Sequence, residues 1–207
     1  MSLRTSGIAN FLQAIFKFAE LLIRRKLPYA VIFGNHDDEG SLSRSASMDL
    51  ITSLPYSLSE AGPATVDGVG NYHVEVLAHG NSHHSALTLY FLDTHGYSSD
   101  ERAFKGYDWI KKNQIDWFKE TAQGLKKAHK EYTHVHMDAA FIHIPLPEFR
   151  KTDNQIVGAW RENPTAPAFN SGFRDALVEE GVMFVSCGQY VIIISTPPRQ
   201  PTNSRRQ

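Results

Sequence analysis

Short apolar runs of strand length recur along the chain, and each one stops abruptly at polar or turn-forming residues. A run of four to eight apolar residues with such boundaries is typical of a buried β-strand, and stretches with helical periodicity separate the runs. This alternation predicts an α/β fold built in layers around a largely buried sheet. The predicted strands are Tyr29–Phe33, Tyr72–Leu77, Ala86–Leu92, Ala139–Ile144 and Val182–Val185.

Helical periodicity predicts the elements between the strands. Apolar residues in Phe11–Ile23 recur at three- and four-residue spacing, which predicts a helix with a wide buried face. Three further helices are predicted: one over Ser45–Leu54, one capped by Asn113 in a capping-box-like arrangement, and one running from a cap at Asn170 or Ser171 to Glu180.

Composition bounds the class of protein. The 207 residues suffice for one domain, predicted over residues 8–195, and 42% hydrophobic content excludes a disordered chain. A net charge of −1 argues against a nucleic-acid partner. The single cysteine and the lack of a recognisable signal peptide favour an intracellular location. The polar, Pro-containing segment Thr196–Gln207 is predicted to be a disordered tail.

One uncharged stretch, residues 181–198, is near the length of a membrane span. Its apolar residues fall into two short blocks, Val182–Val185 and Tyr190–Ile194, separated by glycine and polar residues. Two buried strands are therefore predicted, and no membrane partner.

Polar clusters follow three of the predicted strands. These are 35–38 (Asn-His-Asp-Asp), 93–95 (Asp-Thr-His) and His143 within a Phe-Ile-His-Ile-Pro string. In open α/β folds, ligands bind beyond the carboxyl ends of the strands. Asn oxygen and neutral His nitrogen can ligate Mn, Fe or Zn, and a positioned His can protonate a leaving group. The alternatives are that 35–38 is an ordinary loop and that His143 is a hydrogen-bonded core residue.

Other histidines and the cysteine carry weaker hypotheses. We expect His73, His79, His83 and His84 to belong to a solvated hairpin region rather than a metal cluster, and His134 and His136 to face solvent at a strand edge. Cys187 follows a buried strand without an evident activating partner, so a nucleophilic role is not expected.

Taken together and in this order, the clusters resemble the calcineurin-like metallophosphoesterases, in particular the purple-acid-phosphatase-related branch of fungi and plants. The resemblance covers about residues 10–188 and is carried by Ala30–Glu39, Leu89–Tyr97, Gly106–Ile110, Gln114–Phe118, Phe141–Pro147, Asn170–Phe173 and Ser186–Gly188.

The resemblance implies a fold of two mixed sheets flanked by helices, here incomplete at both ends. It implies hydrolysis of phosphate esters, including those of phosphoproteins, with a metal pair drawn from Fe, Mn or Zn. Asn35 and His143 would be ligands of the second metal, and His36 would contact the phosphate and protonate the leaving group. Asp37 occupies the variable acidic position of the same motif.

The family pattern is broken in two places. No D-x-H or G-D-x-x-D string precedes residue 30, and the final G-H-x-H motif is replaced by Gly188-Gln-Tyr-Val191. The second metal site is therefore only partly present, and we expect a truncated chain with impaired or no activity. The alternatives are a non-catalytic binding or scaffold protein and a product without function. The oligomeric state is not predicted.

Overall fold

The computed structural model describes residues 4–37, 39–40, 42–79, 85–129, 136–150, 163–188 and 190–192, with side chains from residue 13 to 188 within those ranges. Its elements, in chain order, are α1 (Arg4–Arg24), α2 (Arg44–Ser53), β1 (Tyr72–Leu77), β2 (Ser85–Phe91), α3 (Lys112–Ala128), β3 (Met137–Ile142), a 3-10 turn (Pro147–Arg150), α4 (Phe173–Glu179), β4 (Phe184–Cys187) and β5 (Tyr190–Ile192).

The strands form one five-stranded mixed sheet in the order β1-β2-β3-β4-β5. Strands β2, β3 and β4 are parallel, and β1 and β5 are antiparallel to their neighbours. Helices α3 and α4 make the two crossovers that parallel neighbours require. The α/β class and the mixed sheet with flanking helices are confirmed. The second sheet implied by the resemblance is not formed by the residues that the structure describes.

One face of the sheet holds the main core, which α3 and α4 cover. Phe118 and Leu177 are fully buried against strand residues such as Tyr90 and Val185. The Phe118 ring lies edge-on to Tyr90 and to Phe173, with centroid distances of 5.1 and 5.5 Å. The packing fixes both crossovers against the strands, so the loops at the strand ends are held in place.

The predicted strand Tyr29–Phe33 is wrong as a sheet member. The segment makes only one isolated bridge, between Tyr29 and Ser57. Tyr29 exchanges backbone hydrogen bonds with Tyr56 and Leu58. Val31 bonds instead to a side chain: its N–H donates to the Tyr72 hydroxyl, which in turn lies 2.7 Å from the Val31 carbonyl. A tyrosine hydroxyl thus provides the backbone hydrogen bonds that a neighbouring strand would otherwise provide, and the apolar sequence alone does not reveal this.

Helix α1 exists as predicted, but its wide buried face is wrong for the described side chains. Ala19 is buried, whereas Phe16, Phe18 and Leu21 are 48%, 55% and 57% exposed. Phe18 packs edge-on against Tyr29 with its centroid 6.0 Å away. The helix itself was predicted correctly, because helix formation follows from the local spacing of residues. Which face of the helix becomes buried depends on the elements that pack against it, and local spacing does not contain that information.

Two predicted helix caps are also wrong. The N-cap of α3 is Lys111 rather than Asn113, and the Gln114 side chain accepts a hydrogen bond from the Lys111 N–H at 2.8 Å. Helix α4 begins after Gly172, whose N–H donates to the side-chain oxygen of Asn170. Asn170 therefore forms a turn before the helix instead of capping it.

The uncharged stretch 181–198 contains β4 and β5 as predicted. Within the described ranges, no helix is both long and apolar enough to span a bilayer. The predicted tail Thr196–Gln207 lies outside the described residues, as do His83, His84 and His134.

Candidate functional site

The polar residues from three chain segments meet at the carboxyl edge of the parallel strands. His143 directly follows β3, Gly188 directly follows β4, and Asn35 sits in the turn after the Tyr29–Phe33 segment. The sequence predicts convergence at this edge, and the structure brings Asn35 and His143, which are 108 residues apart, into direct contact.

The Asn35 amide is buried and fully engaged. Its Oδ1 lies 2.9 Å from Nε2 of His143, and its Nδ2 donates to the Tyr107 hydroxyl at 2.9 Å. Asn35 is only 5% exposed, so these two bonds satisfy a side chain that would otherwise be costly to bury. The amide orientation is fixed, with its oxygen towards His143.

His143 lies between two glycines. A Cβ added at Gly188 would sit 2.2 Å from its Nδ1, and one added at Gly34 would sit 3.1 Å from its Cε1. The Gly188 N–H donates to the His143 carbonyl at 3.1 Å. Burial lowers the pKa of His143, and the positive charge of Arg44 lowers it further, against an opposing effect of Asp37. The ring is therefore held neutral, which is the form that ligates metals.

His36 lies at the exposed rim of the site. Its Nδ1 is 2.7 Å from a carboxylate oxygen of Glu39, and its side chain is 61% exposed. A carboxylate accepts a hydrogen bond, so Nδ1 carries a proton and Nε2 is the atom that can exchange one with a ligand. The neighbouring Asp37 accepts a hydrogen bond from the Gly34 N–H and so closes the turn.

A buried ion pair lies beneath the turn. Arg44 donates to Asp93 Oδ1 and to the Gly34 carbonyl, both at 2.8 Å. Asp93 also accepts the N–H groups of Val69 and His95. The pair anchors the Asn35 turn to the end of β2. Sequence reasoning missed Arg44, although a cation near a turn that follows a buried strand could have drawn attention to it.

The cluster 93–95 stabilises the edge of the sheet. Thr94 accepts a hydrogen bond from the Ile144 N–H at 3.0 Å. The His95 ring contacts Gln114, whose amide donates to the Asp93 carbonyl and to Asn71. The side chains of this cluster form hydrogen bonds within the protein, so their role is to hold the loops at the edge of the sheet.

Of the other histidines that the structure describes, His79 and His136 lie towards the amino ends of the parallel strands, whereas His73 pairs with Tyr90 near the carboxyl end of β2. His136, just before β3, is 18% exposed and contacts Ser85, Thr88 and Asp138, so the expectation that it faces solvent is wrong. The rings of His73 and Tyr90 lie 6.4 Å apart, and His79 is exposed. Cys187 is buried.

The donors at the site fit only part of a metal pair. Asn35 Oδ1 and His143 Nε2 lie 2.9 Å apart, which is a hydrogen-bond distance and is also close to the roughly 3 Å between neighbouring ligand atoms at right angles around an octahedral ion. In the part of the chain that the structure describes, no group of three or more His, Cys, Asp or Glu side chains could hold a metal ion. The residues thus fit two positions of one metal site and do not fit a pair.

Comparison with known proteins identifies the family. The chain is 36% identical over 186 residues to "Phosphatase DCR2" of Saccharomyces cerevisiae, covering 84% of this chain and 31% of that protein. It is 37% identical over 172 residues to "Probable inactive purple acid phosphatase 29" of Arabidopsis thaliana, covering 77% of this chain and 44% of that protein. The chain belongs to the purple-acid-phosphatase-related metallophosphoesterases.

A third member of this purple-acid-phosphatase-related group, "Probable inactive purple acid phosphatase 14" of Arabidopsis thaliana, is 33% identical over 191 residues, which are 86% of this chain and 47% of that protein. The chain spans less than half the length of each of these three relatives. No family model matches the chain, and no solved structure matches it. The resemblance predicted from the motifs is confirmed by the relatives.

Proposed function

We propose that the site belongs to a metal-dependent phosphomonoesterase, in which Asn35 and His143 are ligands of one metal ion and His36 is the proton donor. The observation that carries the proposal is the contact between Asn35 Oδ1 and His143 Nε2, two ligand atoms spaced as neighbours around one ion. The metal would supply charge stabilisation to the phosphate and lower the pKa of a bound water.

The exposed position of His36 supports its proposed role as the proton donor. In hydrolysis, a water oxygen adds to phosphorus and releases a proton to the solvent, the ester P–O bond breaks, and the leaving oxygen takes the Nε2 proton of doubly protonated His36. His36 is exposed at the rim, and its Nδ1 contact with Glu39 orients Nε2 for that transfer. Such a donor contributes roughly 10²–10⁴-fold to the rate.

We further propose that the 207-residue chain by itself is a poor catalyst. One neutral amide and one neutral imidazole hold a divalent ion weakly, because neither offsets its charge. The nearby Asp37 carboxylate already accepts the Gly34 N–H, and the described residues contain no group of three or more His, Cys, Asp or Glu side chains that could hold a metal ion. The names of the relatives support both halves of the proposal: one is called a phosphatase, and others are called probable inactive purple acid phosphatases.

The proposed substrate is a phosphate monoester, free or on a phosphoprotein, and the metal is Fe, Mn or Zn. The single cysteine supports an intracellular location as part of this proposal. Nucleic acid and membranes are not among the proposed partners.

The test is metal binding by the purified chain. After incubation with Mn, Fe or Zn and removal of the excess, elemental analysis should give well under one tightly held ion per chain. Titration with Mn(II) should still detect a weak site that Asn35→Ala abolishes. His136→Ala is the matched control, because it removes a half-buried histidine at another edge of the sheet.

Two results would overturn the proposal. Weak Mn(II) binding that survives Asn35→Ala would remove Asn35 from the site. Two tightly held ions per chain, together with hydrolysis of a phosphomonoester, would show that this chain is itself a competent enzyme.

A further inference from the structure

Two tyrosines beside the site are fixed opposite each other by the backbone. Tyr97 and Tyr107 form an antiparallel bridge, flanked by hydrogen bonds from Ser98 N–H to the Gly106 carbonyl at 2.9 Å and from Asp108 N–H to the Gly96 carbonyl at 3.0 Å. Their rings stack with a centroid distance of 5.0 Å and an interplanar angle of 28°. The pair is therefore a built feature of this loop.

The pair is fastened to the candidate site on both sides. The Tyr107 hydroxyl accepts the Asn35 Nδ2 hydrogen bond at 2.9 Å. The Tyr97 ring lies 6.2 Å from the His36 ring at an angle of 67°. Tyr97 remains 52% exposed although one face is stacked on Tyr107. An open aromatic surface thus adjoins the proposed proton donor.

We propose that Tyr97 is a specificity-determining residue that favours phosphate esters whose leaving group is a planar aromatic ring. The inference rests on the proposed function, because it places the leaving group next to His36. A ring bonded to the ester oxygen that His36 protonates would lie within reach of Tyr97. Stacking of two aromatic rings raises the binding affinity by about two- to tenfold, in addition to the affinity gained from the apolar area that the rings bury.

Rigidity strengthens the case for Tyr97. An aromatic side chain on a mobile loop loses conformational entropy when it binds a ring, and this loss weakens binding. Tyr97 is already held by the bridge and by the Tyr107 ring, so its loss is smaller. Tyr107 also connects the stack to Asn35, so the distance from the aromatic surface to the proposed metal ligands is fixed.

A second exposed aromatic group supplies an internal control. Phe169 is 40% exposed and packs on Trp109 and Phe104, with centroid distances of 4.7 and 5.6 Å. No ring contact joins this group to His36 among the described residues. Removing Phe169 should therefore leave a preference created by Tyr97 unchanged.

The test compares two esters of equal charge and similar size, phenyl phosphate and cyclohexyl phosphate, by calorimetric titration of the full chain with Zn(II) present. We expect phenyl phosphate to bind about two- to tenfold more tightly. The ratio should fall to about one in Tyr97→Leu and persist in Tyr97→Phe and Phe169→Leu. Both sites are exposed, so these variants should fold.

The outcomes separate this inference from the proposed function. Equal affinities in the unmodified chain, a preference that survives Tyr97→Leu, or one that disappears in Phe169→Leu would overturn the role of Tyr97 while leaving the phosphate site standing. Failure of both esters and of inorganic phosphate to bind would overturn the proposed function, and this inference with it.

Discussion

The buried ion pair between Arg44 and Asp93 should contribute strongly to stability, and its removal is the sharpest test of the site's architecture. The Arg44 side chain is 10% exposed and that of Asp93 is 0% exposed. In Arg44→Met, the aliphatic volume is largely retained while the guanidinium is lost. The Asp93 carboxylate then stays buried without its cation.

The size of the effect follows from the contacts. Removing one partner of a buried ion pair costs about 3–5 kcal/mol. Asp93 keeps the hydrogen bonds from the Val69 and His95 N–H groups, which places the cost near the lower end of that range. The lost bond to the Gly34 carbonyl adds about 1 kcal/mol. We therefore expect a loss of about 4 kcal/mol.

Urea unfolding followed by circular dichroism measures this loss. With a denaturant slope of about 2–3 kcal/mol per molar urea, the midpoint of Arg44→Met should fall by more than about 1 M. Asp93→Asn is the matched partner, because it removes the charge and keeps the shape. The double variant contains no buried charge, so it should be more stable than the sum of the single effects predicts.

Two results would refute this reasoning. A midpoint shift of Arg44→Met below about 0.3 M would show that the guanidinium does not compensate a buried charge. Strict additivity in the double variant would show that Arg44 and Asp93 act independently.

Two further predictions concern other contacts. Gly188→Ala places a methyl group against the His143 ring, and such overpacking costs about 1–3 kcal/mol. The thermal unfolding midpoint should therefore fall by several degrees, and the NMR signals of the Asn35 side-chain amide should move. Gly124→Ala is the control: an added Cβ there meets nothing within 4 Å, so this variant should not lower stability. Burial opposes ionisation of Glu180, but the hydrogen bonds from Lys126 and Gln123 and the positive charges of Lys126 and Lys119 together outweigh it and leave the pKa of Glu180 below its ordinary value. Folding therefore stabilises the ionised form, so Glu180→Gln should be less stable than the unmodified chain near pH 7. The difference in unfolding free energy between the two proteins should narrow as the pH falls below about 4.5. A difference that stays constant from pH 7 to pH 3 would contradict this prediction.

The sheet could be predicted largely from sequence because its strands are short apolar runs with clear boundaries. β1 matches the predicted Tyr72–Leu77, and β2 spans Ser85–Phe91 against a predicted Ala86–Leu92. The Tyr29–Phe33 run satisfied the same criteria and failed, because its central residue, Val31, bonds to the Tyr72 hydroxyl rather than to a neighbouring strand. Apolar composition records burial, and it does not record which group completes the backbone hydrogen bonds.

The candidate site was predictable in part for a similar reason. His143 follows β3, at the edge where an α/β sheet brings functional side chains together. Asn35 was expected there because Tyr29–Phe33 was predicted to be a strand; that run is not a member of the sheet, yet the turn after it reaches His143. Arg44 and Tyr107 were missed, because their importance lies in contacts across 49 and 72 residues of sequence. No local spacing encodes those contacts.

The separation of 108 residues between Asn35 and His143 also sets the order of events during synthesis. At about 5–20 residues per second, the turn that carries Asn35 is synthesised roughly 5–20 seconds before its partner histidine. Phe33 does not depend on that later contact, because it packs with Met48 and Ile51, which follow it closely in the chain. The contact between Asn35 and His143 is therefore among the last features of the nascent chain to form, after the small apolar cluster around Phe33.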